Sequence, residues 1–184
     1  LVAEATREKV KAHALEMGYI YNRRAASLRT SKSGILGVVV HDIMNPFYGE
    51  ILRAIEMELD RSRQTFILSN HYDRVEKQRD FLETLMQLGA DGVIMSPAID
   101  TPASDMELLQ RNGLPTVLVA RSVPDVDLPV FRGDDKFGIS LATNHLISLG
   151  HKRIAMIGGT DKTSTGRDRY EGYVEAMHKA GLEV

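Results

Sequence analysis

The stretch His41-Asp42-Ile43-Met44-Asn45-Pro46-Phe47-Tyr48 gathers an amide, a rigid proline and two adjacent aromatics. Flat aromatic faces beside directed hydrogen-bonding groups suit sugars or heterocycles, which present apolar patches and oriented polar edges. A purely structural reading competes with this one: Asn45-Pro46 sets a helix start and Phe47 packs in a core. Arg121, Arg167 and Arg169 could aim guanidiniums at the same ligand, although a single arginine is most often a surface residue. No catalytic constellation accompanies these groups. His13, His41, His71, His145, His151 and His178 show no metal-pair spacing and no H-E-x-x-H, so no metal is expected. There is no G-x-S-x-G elbow. Gly158-Gly159-Thr160-Asp161-Lys162-Thr163 looks like a phosphate loop but lacks the G-x-x-x-x-G-K-[ST] spacing that wraps amides around phosphate. The chain is therefore read as a binding protein without a cofactor, not as an enzyme.

The elements around these residues follow an α/β pattern. Residues 35–40, 65–68, 92–95, 116–119 and 154–157 are short apolar runs rich in β-branched side chains. Phe47, Ile51, Ile55 and Leu59 form one helical stripe; Phe81, Leu82, Leu85 and Leu88 form another; Leu141, His145, Leu146 and Leu149 form a third. Apolar strands alternating with amphipathic helices predict a parallel sheet covered on both faces. Ligands of such sheets sit beyond the carboxyl ends of the strands, where the 41–48 loop and Arg121 fall. Residues 128–131 are ambiguous beside Pro129 and could add an edge strand. The run 154–157 followed by a helix over 168–179 is a lone βα unit, so residues 151–184 are expected to be poorly packed or frayed.

The first 33 residues differ in kind. They hold seven Lys/Arg against three Glu, a net +4, while the other 151 carry 16 bases against 22 acids. A basic arm on an acidic body suits a polyanionic partner for the arm alone. A helix is predicted over 7–17, with Thr6 as N-cap and Gly18 supplying the left-handed C-terminal position. Its thin stripe of Val10, Ala14 and Met17 must pack on something outside the neighbouring residues. Residues 23–29 are a short Ala/Arg helix that would not hold alone in water. Across all 184 residues there is no cysteine, which excludes disulfides and thiolate metal sites and fits a reducing cytoplasm. No apolar run reaches the ~18 residues of a membrane span. The chain opens on Leu1 and closes on Leu182-Glu183-Val184, which reads as a piece of something longer.

An ordered set of short motifs now becomes visible: Thr6-Arg7-x-x-Val10, Gly18-Tyr19, Asn22, Ala25-x-Ser27-Leu28-Arg29, Gly37-Val38-Val39-Val40, Asn45-Pro46-Phe47, Gly92-Val93-Ile94, Gly150-His151-x-Arg153-Ile154-Ala155 and Arg169-x-x-Gly172-Tyr173. In this order the chain resembles the LacI/GalR family of bacterial transcription regulators. The resemblance implies a periplasmic-binding-protein-like (type I) core behind a partial helical DNA-binding headpiece. It divides the chain into a remnant of a helix-turn-helix headpiece (1–21), a hinge helix and linker (22–33), the N-terminal lobe of the effector-binding core (34–150) and the start of a second lobe (151–184).

By that resemblance the hinge residues Asn22, Arg23, Ala25, Ser27, Leu28 and Arg29 meet operator DNA, with Leu28 as the lever that wedges into a base step. Ala26 stands where a basic residue is usual. Asn45, Phe47, Tyr48, Arg121, Asp134 and Arg169 are the implied effector contacts. Ala120 and Asp135 depart from the common Asp and Asn, so the effector's identity is not inherited. The implied protein is a cytoplasmic homodimeric repressor that senses a sugar or similar metabolite. The fragment lacking a recognition helix is expected not to bind operator specifically. The alternatives are a sugar-binding receptor with the same core and no DNA role, or an unrelated flavodoxin-like domain.

Overall fold

A computed structural model describes residues 2–20, 32–62 and 64–184, and the chain divides into two compact units, Leu1–Ser33 and Gly34–Val184. The hinge positions Asn22, Arg23, Ala25, Ser27, Leu28 and Arg29 lie outside the described residues.

In the first unit, α1 spans Glu4–Glu16. It begins ahead of the expected start, because Ala3 takes the N-cap place and Thr6 lies within the first turn, its N–H bonded to the Ala3 carbonyl. Glu4 supports that start, since a carboxylate in the first turn opposes the positive end of the helix dipole. The other end is as expected. Gly18, at φ +68°, lets its N–H reach the Leu15 carbonyl while the Tyr19 N–H reaches Ala14. No residue of α1 is buried, and the Val10 and Met17 side chains of its stripe stay exposed.

The second unit is built on five parallel strands: β1 (Ile35–Val40), β2 (Thr65–Asn70), β3 (Gly92–Met95), β4 (Thr116–Val119) and β5 (Val130–Phe131). Their spatial order is β2-β1-β3-β4-β5. The order reverses between β1 and β3, the place where an open α/β sheet leaves a crevice for ligand. Connecting helices are α2 (Pro46–Arg61), α3 (Val75–Gln87) and α4 (Ala103–Arg111), the last in a connection for which no stripe was singled out. The ambiguous 128–131 segment resolves as the short edge strand β5, with Leu118 donating to the Pro129 carbonyl.

Alternation along β1 sends its side chains to two cores. Val38 and Val40 meet Tyr48, Ile51, Leu52 and Ile55 of α2, while Val39 meets Leu82 and Leu85 of α3 and Met106 and Leu109 of α4. In that second layer the Leu85 side chain fills the space above Gly37. A Cβ there would stand 2.1 Å from Leu85 Cδ1, so Leu85 of α3 lies directly on the β1 backbone.

Two helices follow the sheet: α5 (Asp135–Ser148) and α6 (Ser164–Lys179). They pack chiefly on one another, with Gly172 so close to the Lys136 carbonyl that a Cβ would lie 2.2 Å from it. The predicted stripe on α5 is not buried: Leu141, Leu146 and Leu149 are exposed, and Thr143 is the one buried residue of the helix. The run 154–157 does not form a strand. No ladder partner for it exists among the described residues, and Ile157 is fully exposed. The helix after it, in contrast, is not frayed. Tyr173, Ala176 and Met177 are buried, and the Tyr173 hydroxyl donates to the Ile154 carbonyl at 2.7 Å. α6 also begins four residues before the expected 168, because the Thr163 side chain caps it by accepting from the Gly166 N–H.

Candidate functional site

The loop after β1 is shaped by its own side chains. Asp42 accepts from the Met44 N–H at 2.9 Å, and Asn45 caps α2 by accepting from the Phe47 N–H at 3.1 Å, with Pro46 in the first turn. Asn45-Pro46 thus does set the helix start. Phe47 does not pack in the core, however; it is 52% exposed. Tyr48 takes the buried role instead, its ring edge-on to Phe47 at 5.2 Å and its hydroxyl 2.8 Å from Ser96 Oγ. One aromatic is the support and the other presents a free face.

Beneath this loop, groups from four strand ends form a brace. Arg121, after β4, donates to Asp73 Oδ1 at 2.5 Å and to the Pro97 carbonyl at 3.2 Å. Asp73, after β2, also accepts from the Ile99 N–H at 3.1 Å. Burial works to raise the Asp73 carboxyl, but the Arg121 hydrogen bond and charge, with the Ile99 N–H and His41, outweigh it and hold it below the usual carboxylate range. His71 is fully buried; its Nδ1 accepts from the Asp73 N–H, so the proton sits on Nε2, which donates to the Ser96 carbonyl at 2.8 Å. Burial pushes His71 below the ordinary histidine value despite the opposing Ser96 bond and Asp73 charge, so it stays neutral. His41 Nδ1 lies 3.1 Å from Asp73 Oδ2, in a geometry that leaves this buried nitrogen without a hydrogen bond.

His41, His71 and Asp73 bring three potential metal-ligand atoms within 4.8 Å of one another. They do not suit a cation. The His71 Nδ1 lone pair is committed to a backbone N–H, and the Arg121 guanidinium already supplies the positive charge against Asp73.

Strained backbone marks the same strand ends. Tyr72 and Asp73 after β2, Asp100 after β3 and Ala120 after β4 all have φ between 51° and 62° without being glycine. At Ala120 the turn is tight enough for the Arg121 N–H to reach the Val119 carbonyl at 2.7 Å, which fixes where Arg121 leaves the sheet.

Across from this floor stands a wall from β5, α5 and α6. Arg169 donates to Asp135 at 2.6 Å and Arg132 to Asp168 at 2.6 Å. Floor and wall enclose a cleft of about 360 Å³, lined by His41, Asn45, Phe47, Tyr48, Arg121, Arg132, Asp135, Thr165 and Arg169 among others. Five of the six expected effector contacts, Asn45, Phe47, Tyr48, Arg121 and Arg169, therefore come together. Asp134 does not join them; it caps α5 by accepting from the Phe137 N–H at 2.9 Å, and its neighbour Asp135 faces the cleft. Arg167 bonds the Asp161 carbonyl and lines a separate cavity of about 380 Å³ with Lys162, Ser122 and Thr163. Asp73, Arg132 and Thr165 carried no expectation from the sequence. The available signal was their position just past strand ends or at a helix start.

Residues 33–184 match the family described as periplasmic binding proteins and sugar binding domain of the LacI family. The chain belongs to this family. It is 31% identical over 182 residues to the maltose regulon regulatory protein MalI of Escherichia coli strain K12, covering 98% of this chain and 53% of that protein. It is 33% identical over 184 residues to the ribose operon repressor of the same organism, covering 100% of this chain and 56% of that one. Among solved structures, the transcription regulator CcpA of Lactococcus lactis superposes with a TM-score of 0.73 at 28% identity, covering 82% of this chain and 55% of that one. The LacI-family chain thus spans about half the length of the curated relatives it matches. Both curated alignments extend ahead of residue 33, and both relatives are regulators by name. No helix among the described residues is long and apolar enough to cross a membrane.

Proposed function

We propose that this chain is the ligand-sensing part of a DNA-binding transcription regulator, a repressor that responds to a sugar or similar small metabolite. The observation that carries the reading is the cleft at the switch point of the sheet. There an exposed Phe47 face stands among guanidinium and carboxylate groups from both floor and wall. An aromatic face stacks on the C–H surface of a sugar ring, while paired donors and acceptors take its hydroxyls.

In this reading Asn45, Phe47, Tyr48, Arg121 and Arg169 act on the effector, Asp134 through the α5 start that presents Asp135. Residues 1–21 belong to the headpiece and 22–33 to the hinge, where Asn22, Arg23, Ala25, Ser27, Leu28 and Arg29 contact operator DNA. The net +4 of residues 1–33 supports a polyanion there. Residues 34–150, up to and including α5, are read as the N-terminal lobe, and 151–184, with α6 packed chiefly on α5, as the beginning of the second lobe. The protein works in the cytoplasm as a homodimer. The edge strand β2, where Leu68 is exposed, and the exposed Met57 of α2 are read as belonging to the pairing face. Effector binding between the lobes changes the angle between them and hence how two hinge segments meet over the operator.

The test is operator binding by the complete protein, followed by fluorescence anisotropy with and without sugar. Phe47→Ala is expected to abolish the sugar response, and a full response in that variant contradicts the site. Leu28→Ala is expected to weaken operator binding more than about threefold, and a smaller change removes the lever role.

A further inference from the structure

The three guanidiniums that line the cleft are held in two different ways. Arg121 commits Nη1 to Asp73 and the Pro97 carbonyl, and Arg132 commits Nη1 to Asp168. Arg169 is held through Nε instead, which donates to Asp135 Oδ1 at 2.6 Å. Among the described residues nothing takes an N–H from either of its Nη groups. We infer that Asp135 is a positioning residue: it takes the Nε–H of Arg169, so that the two Nη groups stand as a free fork in the cleft and grip a pair of neighbouring acceptor oxygens on the effector. This rests on the sensing reading above and adds to it the residue that aims the arginine.

A guanidinium is planar, so holding its Nε–H fixes both its plane and the direction of its outer edge. Two parallel N–H bonds from that edge select direction as well as distance, which a single bond from an unaimed arginine does not. Packing of α6 on α5 brings the two residues together. Gly172 lies against the Lys136 carbonyl, and Arg169, three residues earlier, shares its face of α6 and so meets the residue before Lys136. The competing charges are drawn elsewhere: Lys136 turns to Glu171 and Glu175, and Asp168 is held by Arg132. Within the pair the carboxylate is the recessed member, 16% exposed against 42% for the arginine side chain. The guanidinium therefore faces the ligand and the carboxylate supports it.

The experiment uses the complete protein and reads the operator-binding response by fluorescence anisotropy with ribose, glucose, fructose and cellobiose. For a sugar that responds, Asp135→Ala is expected to raise the concentration of half response about tenfold or more. Asp135→Asn keeps an acceptor oxygen for the Nε–H and is expected to raise it less than about threefold. In an Arg169→Lys protein, which keeps a charge but has no fork to aim, Asp135→Ala is expected to change it by less than about twofold. The full loss recurring in that background shows Asp135 touching the effector itself and overturns the inference. So does an Asp135→Asn loss as large as that of Asp135→Ala, or an Asp135→Ala change within about twofold of the unaltered protein. Crystal structures of the complete protein and its Asp135→Ala variant, both without sugar, give a second readout. Arg169 is expected to keep its place in the first and to leave it in the second, and a guanidinium unmoved in the variant overturns the inference. An unaltered protein that responds to none of the four sugars defeats the sugar reading, while the crystal structures still decide the role of Asp135.

Discussion

The floor and the wall of the cleft are held by different physics. The floor is cut from strand ends and braced by buried groups. His71 is inaccessible, and Arg121 and Asp73 expose only 15% and 22% of their side chains. The wall is built from the end of β5 with α5 and α6, and its ion pairs are more open, with 32% and 26% exposure at Arg132–Asp168 and 42% and 16% at Arg169–Asp135. A buried brace fixes geometry, because breaking it strands a charge, whereas an open ion pair contributes about 0–1 kcal/mol and can be remade. A site made of one fixed side and one adjustable side is suited to reporting occupancy as movement of the adjustable side.

The contrast can be broken from the floor first. Asp73→Ala leaves Arg121 without its carboxylate and the Ile99 N–H without its acceptor. A loss of about 2–3 kcal/mol in unfolding free energy is expected by urea titration, together with loss of sugar binding. On the wall, Gly172→Ala would set a Cβ against the Lys136 carbonyl and push α6 away from α5. A cost of about 1–3 kcal/mol is expected, with sugar affinity falling because Arg169 moves off its position.

The floor should also respond to pH. His71 has its folded value depressed, so the unfolded chain binds the extra proton first, and stability falls as pH drops below about 6.5. Asp73, also depressed when folded, adds stability that is complete above the ordinary carboxylate range and is lost in more acid solution. Chemical denaturation at pH 7.5 and pH 5.5 checks the histidine contribution, and His71→Asn is expected to flatten the difference. The smallest effect belongs to the wall's open pair. Arg132→Ala should change stability by less than about 1 kcal/mol.

Periodicity and β-branching placed β1 to β4 near where they lie, since each needs only local pattern plus a neighbour, while the short edge strand β5 lay in a segment left ambiguous beside Pro129. The fifth apolar run, 154–157, has a similar composition but no partner among the described residues to complete its ladder, so pattern alone overstates it. Within the cleft, loop position identified Asn45, Phe47 and Arg121 correctly as neighbours. It could not separate Phe47 from Tyr48, because two adjacent aromatics at a helix start differ only in which one the first turn points at the sheet. Asp134 and Asp135 pose the same problem. One of two consecutive carboxylates must cap α5, and rotation about the helix axis then hands the ligand-facing place to the other. The Asp73–Arg121 brace joins residues 48 apart in sequence and leaves no local trace.

The most direct test of a two-sided cleft is hydrogen–deuterium exchange of the complete protein, with and without a sugar that elicits the operator-binding response. Slowed exchange is predicted both in the floor loops 41–48, 71–73 and 120–122 and in the wall segment 164–169. Slowing confined to one side, or centred on the cavity beside Lys162 and Arg167, would contradict the account.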